Sequence, residues 1–372
     1  MEFRTTDSFV LLKIDGSIIL SFSPFSMPKL LLSLMPTTQT IVTCFPITPE
    51  QVETVRQSAG SAFEVIEASH DSIPEDIFQA DIFFGHAKGK PVDWAKVVDQ
   101  GKLKWIQSSA AGLDHCLSPE VIDCDSILVS GCSGLFAPQV AETSMALLMG
   151  LLRSLPVFFE AKEKREYVRR FTDEIFGKTV GIVGFGGNGQ QIAKTLKPMV
   201  GRIFATDKFP ESTIAAGFEG LAEKVYSDSS MGEMLPQCDI LISTLPLSEE
   251  NEQLLSDDQF SLLPKGSYFI NVGRGSVVDQ DALIRAIESG HLTGAGIDVA
   301  NPEPIEPDSK LWTFANVIIT PHIGAQSVHR VPRTIDLFCK NFPKFIAGET
   351  LINLVDKKLG FPRPEHRFDM QF

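Results

Sequence analysis

A glycine-rich turn at residues 184–189 restricts the possible folds of this chain more than any other part of its sequence. The apolar run Thr-Val-Gly-Ile-Val precedes the turn, as expected of a buried strand, and a helical pattern follows it. Gly184, Gly186 and Gly189 form the pattern G-x-G-x-x-G. Asp207 lies 18 residues after Gly189, at the end of the next predicted strand. This order of strand, turn, helix, strand and acid is the fingerprint of a dinucleotide-binding βαβ unit.

Each part of this fingerprint has a physical reason to bind a dinucleotide. Gly184 permits the tight turn, Gly186 lets the backbone approach the pyrophosphate, and Gly189 lets the helix pack closely on the strand. The free N–H groups at the helix N-terminus attract the phosphates. Asp207 is predicted to accept hydrogen bonds from the adenosine ribose, and its charge repels a 2′-phosphate. The sequence therefore favours NAD over NADP, and the adjacent Lys208 slightly weakens that preference.

The composition narrows the class of protein. The chain has 372 residues, which suggests two domains, and 43% of them are hydrophobic, which is enough for a sizeable core. Its 33 basic and 47 acidic residues give a net charge of −14, which argues against a nucleic acid or a membrane as the main partner. The six cysteines are scattered without metal-ligand spacing, so we expect reduced thiols, no metal site and a cytoplasmic location.

Short apolar runs alternate with helical stretches along most of the chain, which is the pattern of parallel α/β sheets. We predict strands at residues 39–44, 63–66, 81–84, 103–107, 179–183, 202–206, 239–244, 267–272, 295–299 and 316–320. A first helix opens at Pro49, and a long apolar helix that should be buried covers residues 138–153. Another helix begins after Asp279, its predicted N-cap, and stops at Gly290.

This order of elements predicts a nucleotide-binding domain inserted between two halves of another α/β domain. The predicted segments are a disordered leader at 1–38, the first part of the substrate domain at 39–136, the NAD-binding domain at 137–326, the returning part of the substrate domain at 327–360 and a tail at 361–372. The prolines and serines of the leader disfavour both helix and strand. A poor signal peptide and a working start at Met35 stay open as alternatives.

Three further segments resemble the D-isomer-specific 2-hydroxyacid dehydrogenase family. They are Ile-Asn-Val-Gly-Arg-Gly-Ser-Val-Val-Asp at 270–279, Gly-Ile-Asp-Val-Ala-Asn-Pro-Glu-Pro at 296–304 and Ile-Ile-Thr-Pro-His-Ile-Gly at 318–324. They hold Arg274, Glu303 and His322 in the order of the family's Arg, Glu and His. The resemblance covers residues 39–358 and implies two doubly wound parallel-sheet domains, with a Rossmann NAD-binding domain inserted into a flavodoxin-like substrate domain.

These three residue types match the needs of 2-keto acid reduction. The guanidinium of Arg274 can grip the carboxylate and polarise the keto oxygen. His322 can deliver a proton as hydride arrives, and Glu303 can orient the imidazole and favour its protonated form. The resemblance therefore implies that all three are catalytic in an NAD-dependent dehydrogenase of small D-2-hydroxy acids. Glyoxylate and hydroxypyruvate are the keto acids that we expect it to reduce.

The resemblance also assigns binding residues, beginning with loop 108–115, which resembles the family's substrate loop. The predicted substrate-binding residues are Ala111, Gly112, Arg274 and His322. The predicted cofactor-binding residues are Gly184, Gly186, Gly187, Asn188, Gly189, Asp207, Thr244, Pro246, Val272 and Asp298. His86 is expected in an exposed loop, with a place in the cleft left open, and Glu142 is expected to be structural.

The resemblance further implies a homodimer formed through the NAD-binding domain, using the apolar helix at 138–153. Asn188, Ala300 and Asn301 depart from the family's usual residues, without touching the proposed chemistry. Glutamate rather than glutamine at position 303 argues against the formate dehydrogenase branch. Two alternatives stay open: an NAD(H) sensor like the C-terminal-binding corepressors, which share this scaffold and the same Arg-Glu-His set, and a Rossmann protein that has lost its activity.

Overall fold

Two parallel sheets dominate the fold. The computed structural model describes residues 2–6, 9–14, 17–22, 38–87, 90–214 and 220–368. Within these residues, the chain forms one parallel sheet of five strands and another of seven. Two small antiparallel sheets accompany them, one of three strands and one of two.

The three-stranded sheet falls within the segment predicted as a disordered leader. Its strands are β1 (Glu2–Thr6), β2 (Phe9–Ile14) and β3 (Ser17–Phe22). They pair as antiparallel neighbours, so the backbone is extended where the sequence predicts irregular chain. Residues 23–37 of the predicted leader lie outside the described residues.

The five-stranded sheet has the strand order of a flavodoxin-like fold. Its strands are β4 (Gln39–Cys44), β5 (Phe63–Glu67), β6 (Ile82–Gly85), β7 (Trp105–Ser108) and β8 (Leu128–Ser130). They lie in the order β5-β4-β6-β7-β8 and are all parallel. The helices between them are α1 (Pro49–Ala59), α2 (Ile73–Asp76), α3 (Trp94–Gln100) and α4 (Pro119–Asp123). Thr48 and Gln51 form a capping box that begins α1 at the predicted Pro49.

The seven-stranded sheet is doubly wound around its first strand. Its strands are β9 (Thr179–Val183), β10 (Arg202–Asp207), β11 (Lys224–Ser227), β12 (Ile240–Ser243), β13 (Ser267–Asn271), β14 (Leu292–Ile297) and β15 (Val317–Ile319). They lie in the order β11-β10-β9-β12-β13-β14-β15 and are all parallel. The order reverses between β9 and β12, where doubly wound sheets open a ligand crevice.

Seven helices belong to this part of the described chain. They are α5 (Ala137–Leu152), α6 (Leu155–Glu163), α7 (Gly187–Leu196), α8 (Pro210–Thr213), α9 (Met231–Met234), α10 (Asp257–Leu262) and α11 (Gln280–Glu288). Ten of the 16 residues of α5 are buried, which confirms the predicted buried helix. Asp279 caps α11 as predicted, because its side chain accepts hydrogen bonds from the N–H groups of Asp281 and Ala282. Helix α7 begins at Gly187, inside the glycine-rich turn.

Helices α5 and α6 are apolar and follow each other closely in the chain. Among the described residues no single helix has both the length and the apolarity of a membrane span, and these two have them only when counted together across their 68° bend.

After the second sheet, the chain returns to the first one. Helix α12 (Arg330–Ala347) packs on α1, and Ile335 and Phe338 share a buried cluster with Ile41 and Val52 of the first sheet's layer. Phe338 stacks on Trp105 of β7 with ring centroids 5.4 Å apart. The two-stranded sheet follows, formed by β16 (Val355–Asp356) and β17 (Phe361–Pro362). The predicted domain limits stay predictions, although this packing matches the predicted return of residues 327–360.

Candidate active site

Three neighbouring strands carry the predicted catalytic residues to one edge of the seven-stranded sheet. Asn271, Ile297 and Ile319 lie level with one another, because the first pairs with the second and the second with the third. Arg274 comes three residues after Asn271, and His322 comes three residues after Ile319. Since the carboxyl ends of parallel strands meet at one edge, both residues lie in loops on the side where α/β sheets bind their ligands.

Glu303 reaches from the loop after β14 to the imidazole of His322. Its Oε2 lies 2.9 Å from Nδ1 of His322, and its Oε1 accepts a hydrogen bond of 3.0 Å from the N–H of Ala300. Burial acts to raise the pKa of Glu303, but the hydrogen bonds from His322 and Ala300 and the charges of His322 and Arg274 outweigh it, so the pKa is lowered. The carboxylate therefore stays charged at neutral pH. Because it contacts Nδ1, the other ring nitrogen, Nε2, is the one that can face a reactant.

The loop that carries His322 is held by a buried carboxylate, that of Asp298. His322 has a φ of 54°, and its N–H donates to the Asp298 carbonyl at 2.8 Å. The Asp298 side chain, 2% exposed, accepts hydrogen bonds from Thr320 Oγ1 at 2.6 Å, Ile323 N at 2.9 Å and Gly324 N at 2.8 Å. Asp298 thus positions the loop that carries His322, a role that its place after a strand did not reveal. Its predicted contact with the cofactor stays a prediction.

Arg274 lies against the predicted substrate loop of the other sheet. Its Nε is 3.3 Å from Oδ2 of Asp114, and its Nη1 donates to the Gly273 carbonyl at 2.9 Å. A Cβ added to Gly112 would lie 1.4 Å from Nη2 of Arg274, so only glycine allows this approach. The exposed Ala111 precedes it. The structure therefore brings the predicted substrate-binding residues of both sheets together, and it adds Asp114, which sequence reasoning missed.

The glycine loop has the shape that a dinucleotide pyrophosphate needs. Gly184 has a φ of 92°, and its carbonyl accepts a hydrogen bond of 2.6 Å from Thr244 Oγ1. A Cβ on Gly189 would lie 2.2 Å from the Gly184 oxygen, so helix and strand are in direct contact there. A Cβ on Gly186 would instead enter open space directly before α7. The residues present fit a dinucleotide, because the loop leaves the helix N-terminus accessible.

Asp207 ends β10 beside this loop, as predicted. It is 5% exposed, and its Oδ1 accepts a hydrogen bond of 2.7 Å from the N–H of Phe209. The neighbouring Thr206 Oγ1 accepts a hydrogen bond of 3.4 Å from the N–H of Gly184, which ties the end of β10 to the glycine loop. The acid therefore lies where the fingerprint expects the adenosine ribose.

The other predicted cofactor residues lie in the first turn of α7 and in the loops after β12 and β13. Gly187 and Asn188 form the first turn of α7. The Pro246 carbonyl accepts a hydrogen bond of 2.6 Å from Asn251, and Val272 is buried after β13. Sequence reasoning missed Gly273, where a Cβ would lie 2.6 Å from the Leu245 oxygen. That glycine keeps the loops after β12 and β13 in contact.

His86 is not the freely exposed loop residue that the sequence predicts. Its ring stacks on that of His115, with centroids 4.0 Å apart and planes 10° apart, and its Nδ1 is buried. His115 belongs to the predicted substrate loop, and its Nε2 lies 3.4 Å from Ser108 Oγ. His86 therefore lies beside that loop. Glu142, which was expected to be structural, is exposed on α5.

Known proteins resemble this chain in both sequence and fold. The family model for the D-isomer specific 2-hydroxyacid dehydrogenase, NAD binding domain, matches residues 145–324. The glyoxylate reductase/hydroxypyruvate reductase of Homo sapiens is 34% identical over 64% of this chain and 72% of its own length. A D-isomer specific 2-hydroxyacid dehydrogenase family protein from Aeromonas salmonicida has a TM-score of 0.72 at 26% identity, over 86% of this chain and all of that one.

A further solved structure shares the fold. It is a D-isomer specific 2-hydroxyacid dehydrogenase from Xanthobacter autotrophicus in complex with NADPH and MES, with a TM-score of 0.73 at 24% identity, over 87% of this chain and 100% of that one. The matched residues 145–324 of the present chain contain the glycine loop and the three predicted catalytic residues. The chain therefore belongs to the D-isomer-specific 2-hydroxyacid dehydrogenase family, and it is an oxidoreductase with a domain for a nicotinamide dinucleotide.

Proposed function

We propose that this protein is an NAD-preferring D-2-hydroxyacid dehydrogenase that reduces small 2-keto acids such as glyoxylate or hydroxypyruvate. The observation that carries this proposal is the 2.9 Å contact between His322 and Glu303, on the same sheet edge as Arg274. An imidazole held by a carboxylate beside a guanidinium supplies the proton and the anion-binding group that keto acid reduction requires.

Each residue has a separate task in this proposal. Arg274, held by Asp114, binds the substrate carboxylate and polarises the keto oxygen, with the backbone N–H groups of Ala111 and Gly112 beside it. His322 donates a proton from Nε2 to the keto oxygen, while the Glu303 carboxylate orients the ring and stabilises its charged form. The nicotinamide, when bound, supplies the hydride.

The choice between NAD and NADP belongs to the same proposal. Asp207 supports NAD, because a carboxylate at the end of β10 accepts hydrogen bonds from ribose hydroxyls and repels a 2′-phosphate. The relative from Xanthobacter autotrophicus holds NADPH, so both dinucleotides belong in any test. The remaining cofactor contacts are proposed for the glycine loop, Thr244, Pro246, Val272 and Asp298.

A homodimer through the NAD-binding domain is also proposed, with a different surface from the one expected. Helix α5 is mostly buried within its own chain, so it has little apolar surface to offer a partner. The segment after it instead exposes large aromatic side chains. They are Phe159 at 61%, Tyr167 at 90%, Phe171 at 101% and Phe176 at 84% exposure. A second copy covering this segment would remove that apolar surface from water. The free thiols of all six cysteines support the proposed cytoplasmic location.

Turnover tests the proposal most simply. The purified protein is mixed with NADH and a panel of 2-keto acids that includes glyoxylate, hydroxypyruvate and pyruvate, and NADH oxidation is followed by absorbance. We expect turnover with the smallest keto acids and none without a keto acid. NADH binding without turnover on any member of the panel would contradict the proposal. That result would instead favour the NAD(H)-sensing alternative, for which the comparisons give no support.

A further inference from the structure

A tail arginine faces the acidic residue of the ribose site. Nη1 of Arg367 lies 3.9 Å from Oδ2 of Asp207, and their side chains are only 16% and 5% exposed. Arg367 follows the two-stranded sheet, 160 residues after Asp207 in the chain. We propose that Arg367 is a second determinant of cofactor selectivity, whose charge offsets that of Asp207 and moderates the exclusion of NADP(H). This inference rests on the proposed function, which assigns Asp207 to the adenosine ribose.

One carboxylate oxygen of Asp207 is hydrogen-bonded to the backbone, and the other lies toward Arg367. Its Oδ1 accepts the Phe209 N–H at 2.7 Å, so Oδ2 is the oxygen on the side of the guanidinium. Lys208 and Arg363 are also close, but each is paired with a carboxylate of its own, that of Glu250 and that of Asp356. We therefore expect Arg367 to be the cation that acts most on a ribose 2′-substituent beside Asp207.

The tail is fixed where it passes this site. Asn353 is fully buried and donates its side-chain N–H groups to the carbonyls of Gly131 and Ser133. Its backbone N–H donates to the His366 carbonyl at 2.7 Å, and its side-chain oxygen accepts the Phe368 N–H at 2.8 Å. Phe368 packs against the core of the seven-stranded sheet. Arg367 lies between two anchored residues, so its approach to Asp207 is built into the fold.

The two charges act in opposite directions on a 2′-phosphate. A carboxylate repels it, whereas a guanidinium attracts it and can bind it with two hydrogen bonds. Burial lowers the pKa of Arg367 more than the charges of Asp207 and Glu365 raise it. The side chain keeps its charge because a guanidinium stays protonated in proteins. Because both groups are poorly hydrated, solvent screens their effect less than at an open surface. Asp207 without Arg367 should exclude NADP(H) more strictly than the pair does.

The first test is Arg367→Gln in the full chain, with binding rather than turnover as the readout. Dissociation constants for NADH and NADPH are measured by fluorescence titration, and those for adenosine 2′,5′-bisphosphate and 5′-AMP by calorimetry. We expect NADPH and the bisphosphate to bind about tenfold more weakly, with NADH and 5′-AMP changed less than about threefold. Equal weakening of all four, or no change in the ratio of NADPH to NADH affinity, would overturn the inference.

Arg363→Gln is the matched control. Arg363 is another arginine of the same tail, and its guanidinium lies 5.8 Å from the ring centroid of Phe209, but Asp356 holds its Nε at 2.8 Å. Removing its charge should leave the ratio of NADPH to NADH affinity unchanged. Arg367→Lys keeps the charge without the planar fork and should lie between the wild type and Arg367→Gln. A loss of selectivity in Arg363→Gln equal to that in Arg367→Gln would assign the effect to the tail as a whole and contradict the inference.

A second variant tests the inference even if Arg367→Gln does not fold. In Asp207→Asn, the unopposed guanidinium should make NADPH bind more tightly than NADH. Asp207→Asn/Lys208→Gln should keep this inversion, which separates the contribution of Arg367 from that of Lys208. Equal affinity for NADPH and NADH in Asp207→Asn would contradict the inference and leave the proposed function intact. Failure of the wild-type protein to bind either dinucleotide would instead overturn the proposed function.

Discussion

The carboxylate of Glu303 shows how one side chain sets the charge of the proposed acid–base pair. Its two oxygens are divided between the Ala300 N–H and the His322 imidazole. These bonds and nearby positive charges lower the pKa of Glu303 below its ordinary value of 4.5. The contact between the Glu303 carboxylate and His322 is therefore intact at and above pH 4.5. It is lost only as the pH falls through the lowered pKa. At neutral pH, therefore, His322 faces a full negative charge.

Glu303→Gln should change the pH dependence of keto acid reduction. In the wild type the Glu303 carboxylate is lost as the pH falls through its lowered pKa, so the rate should fall there, whereas the amide of the variant does not titrate and should show no such acidic fall. The measurement is kcat/KM for glyoxylate across the acidic and neutral range, alongside the dissociation constant of NADH. A profile that falls at the same pH as in the wild type would show that Glu303 has no such role.

Gly112→Ala should displace the guanidinium of Arg274, which is proposed to bind the substrate. The added Cβ would lie 1.4 Å from Nη2 of Arg274, so the side chain must move away. We expect KM for the keto acid to rise about tenfold or more, with an unchanged dissociation constant for NADH. Gly232→Ala is the control, since a Cβ there meets only one atom, at 3.9 Å. Similar changes in both variants would point to a general structural effect.

At the level of single residues, the sequence predicted those site residues that lie within short sequence motifs. Arg274, Glu303 and His322 each lie in a short recognisable segment, and the structure brings them to one sheet edge. Asp114 was missed because it meets Arg274 across 160 residues of sequence, and no periodicity reports such a contact. The part that Asp298 plays was missed because its partners are mainly backbone N–H groups, which every sequence contains.

At the scale of elements, the loop between β15 and α12 depends on the buried carboxylate of Asp298. That carboxylate accepts one side-chain and two backbone hydrogen bonds. These bonds, rather than those of a helix or a strand, hold the loop in place. A buried N–H without an acceptor is costly, and the loop therefore cannot keep its shape once the carboxylate is removed.

Asp298→Ala should lower the free energy of unfolding by about 2–4 kcal/mol, because it leaves buried donors without acceptors. Equilibrium unfolding in urea measures this change. Asp279→Ala is the comparison, since that partly exposed carboxylate also accepts two backbone N–H groups and its loss should cost about 1 kcal/mol. A cost for Asp298→Ala no larger than that for Asp279→Ala would show that the loop has other support.

The sequence missed two short strands at sheet edges. Strands β4 and β9, which lie inside their sheets and are largely buried, match their predicted limits. Strands β8 and β11 were missed, and both lie at the edge of their sheets. Each has only three or four residues, with an exposed residue at its start, so neither gives a clear apolar run.

At the scale of the whole molecule, the proposed site needs both parallel sheets. The pair formed by Arg274 and Asp114 joins the loop after β13 to the proposed substrate loop after β7. The returning helix α12 packs against α1 of the first sheet, directly after the loop that carries His322. Movement of one sheet layer relative to the other would therefore change the site itself, as expected where a cleft closes around a substrate.

The exposed aromatic segment gives the prediction for assembly. Phe171→Ser combined with Phe176→Ser should weaken the proposed homodimer at least about tenfold, because these two side chains expose most of their surface in one chain. Sedimentation over a range of concentrations measures the change. Leu262→Ser, at an exposed apolar residue of α10, is the control. A wild-type protein that stays monomeric at all concentrations would contradict the proposed dimer.

The most direct test of the proposed chemistry is single-turnover reduction of glyoxylate by enzyme-bound NADH in His322→Ala. If His322 delivers the proton, the rate of NADH oxidation should fall by about 100-fold or more. The dissociation constant of NADH, measured on the same samples, should stay unchanged. A rate within a few-fold of the wild type, or a loss explained by weaker NADH binding, would contradict the role given to the pair of His322 and Glu303.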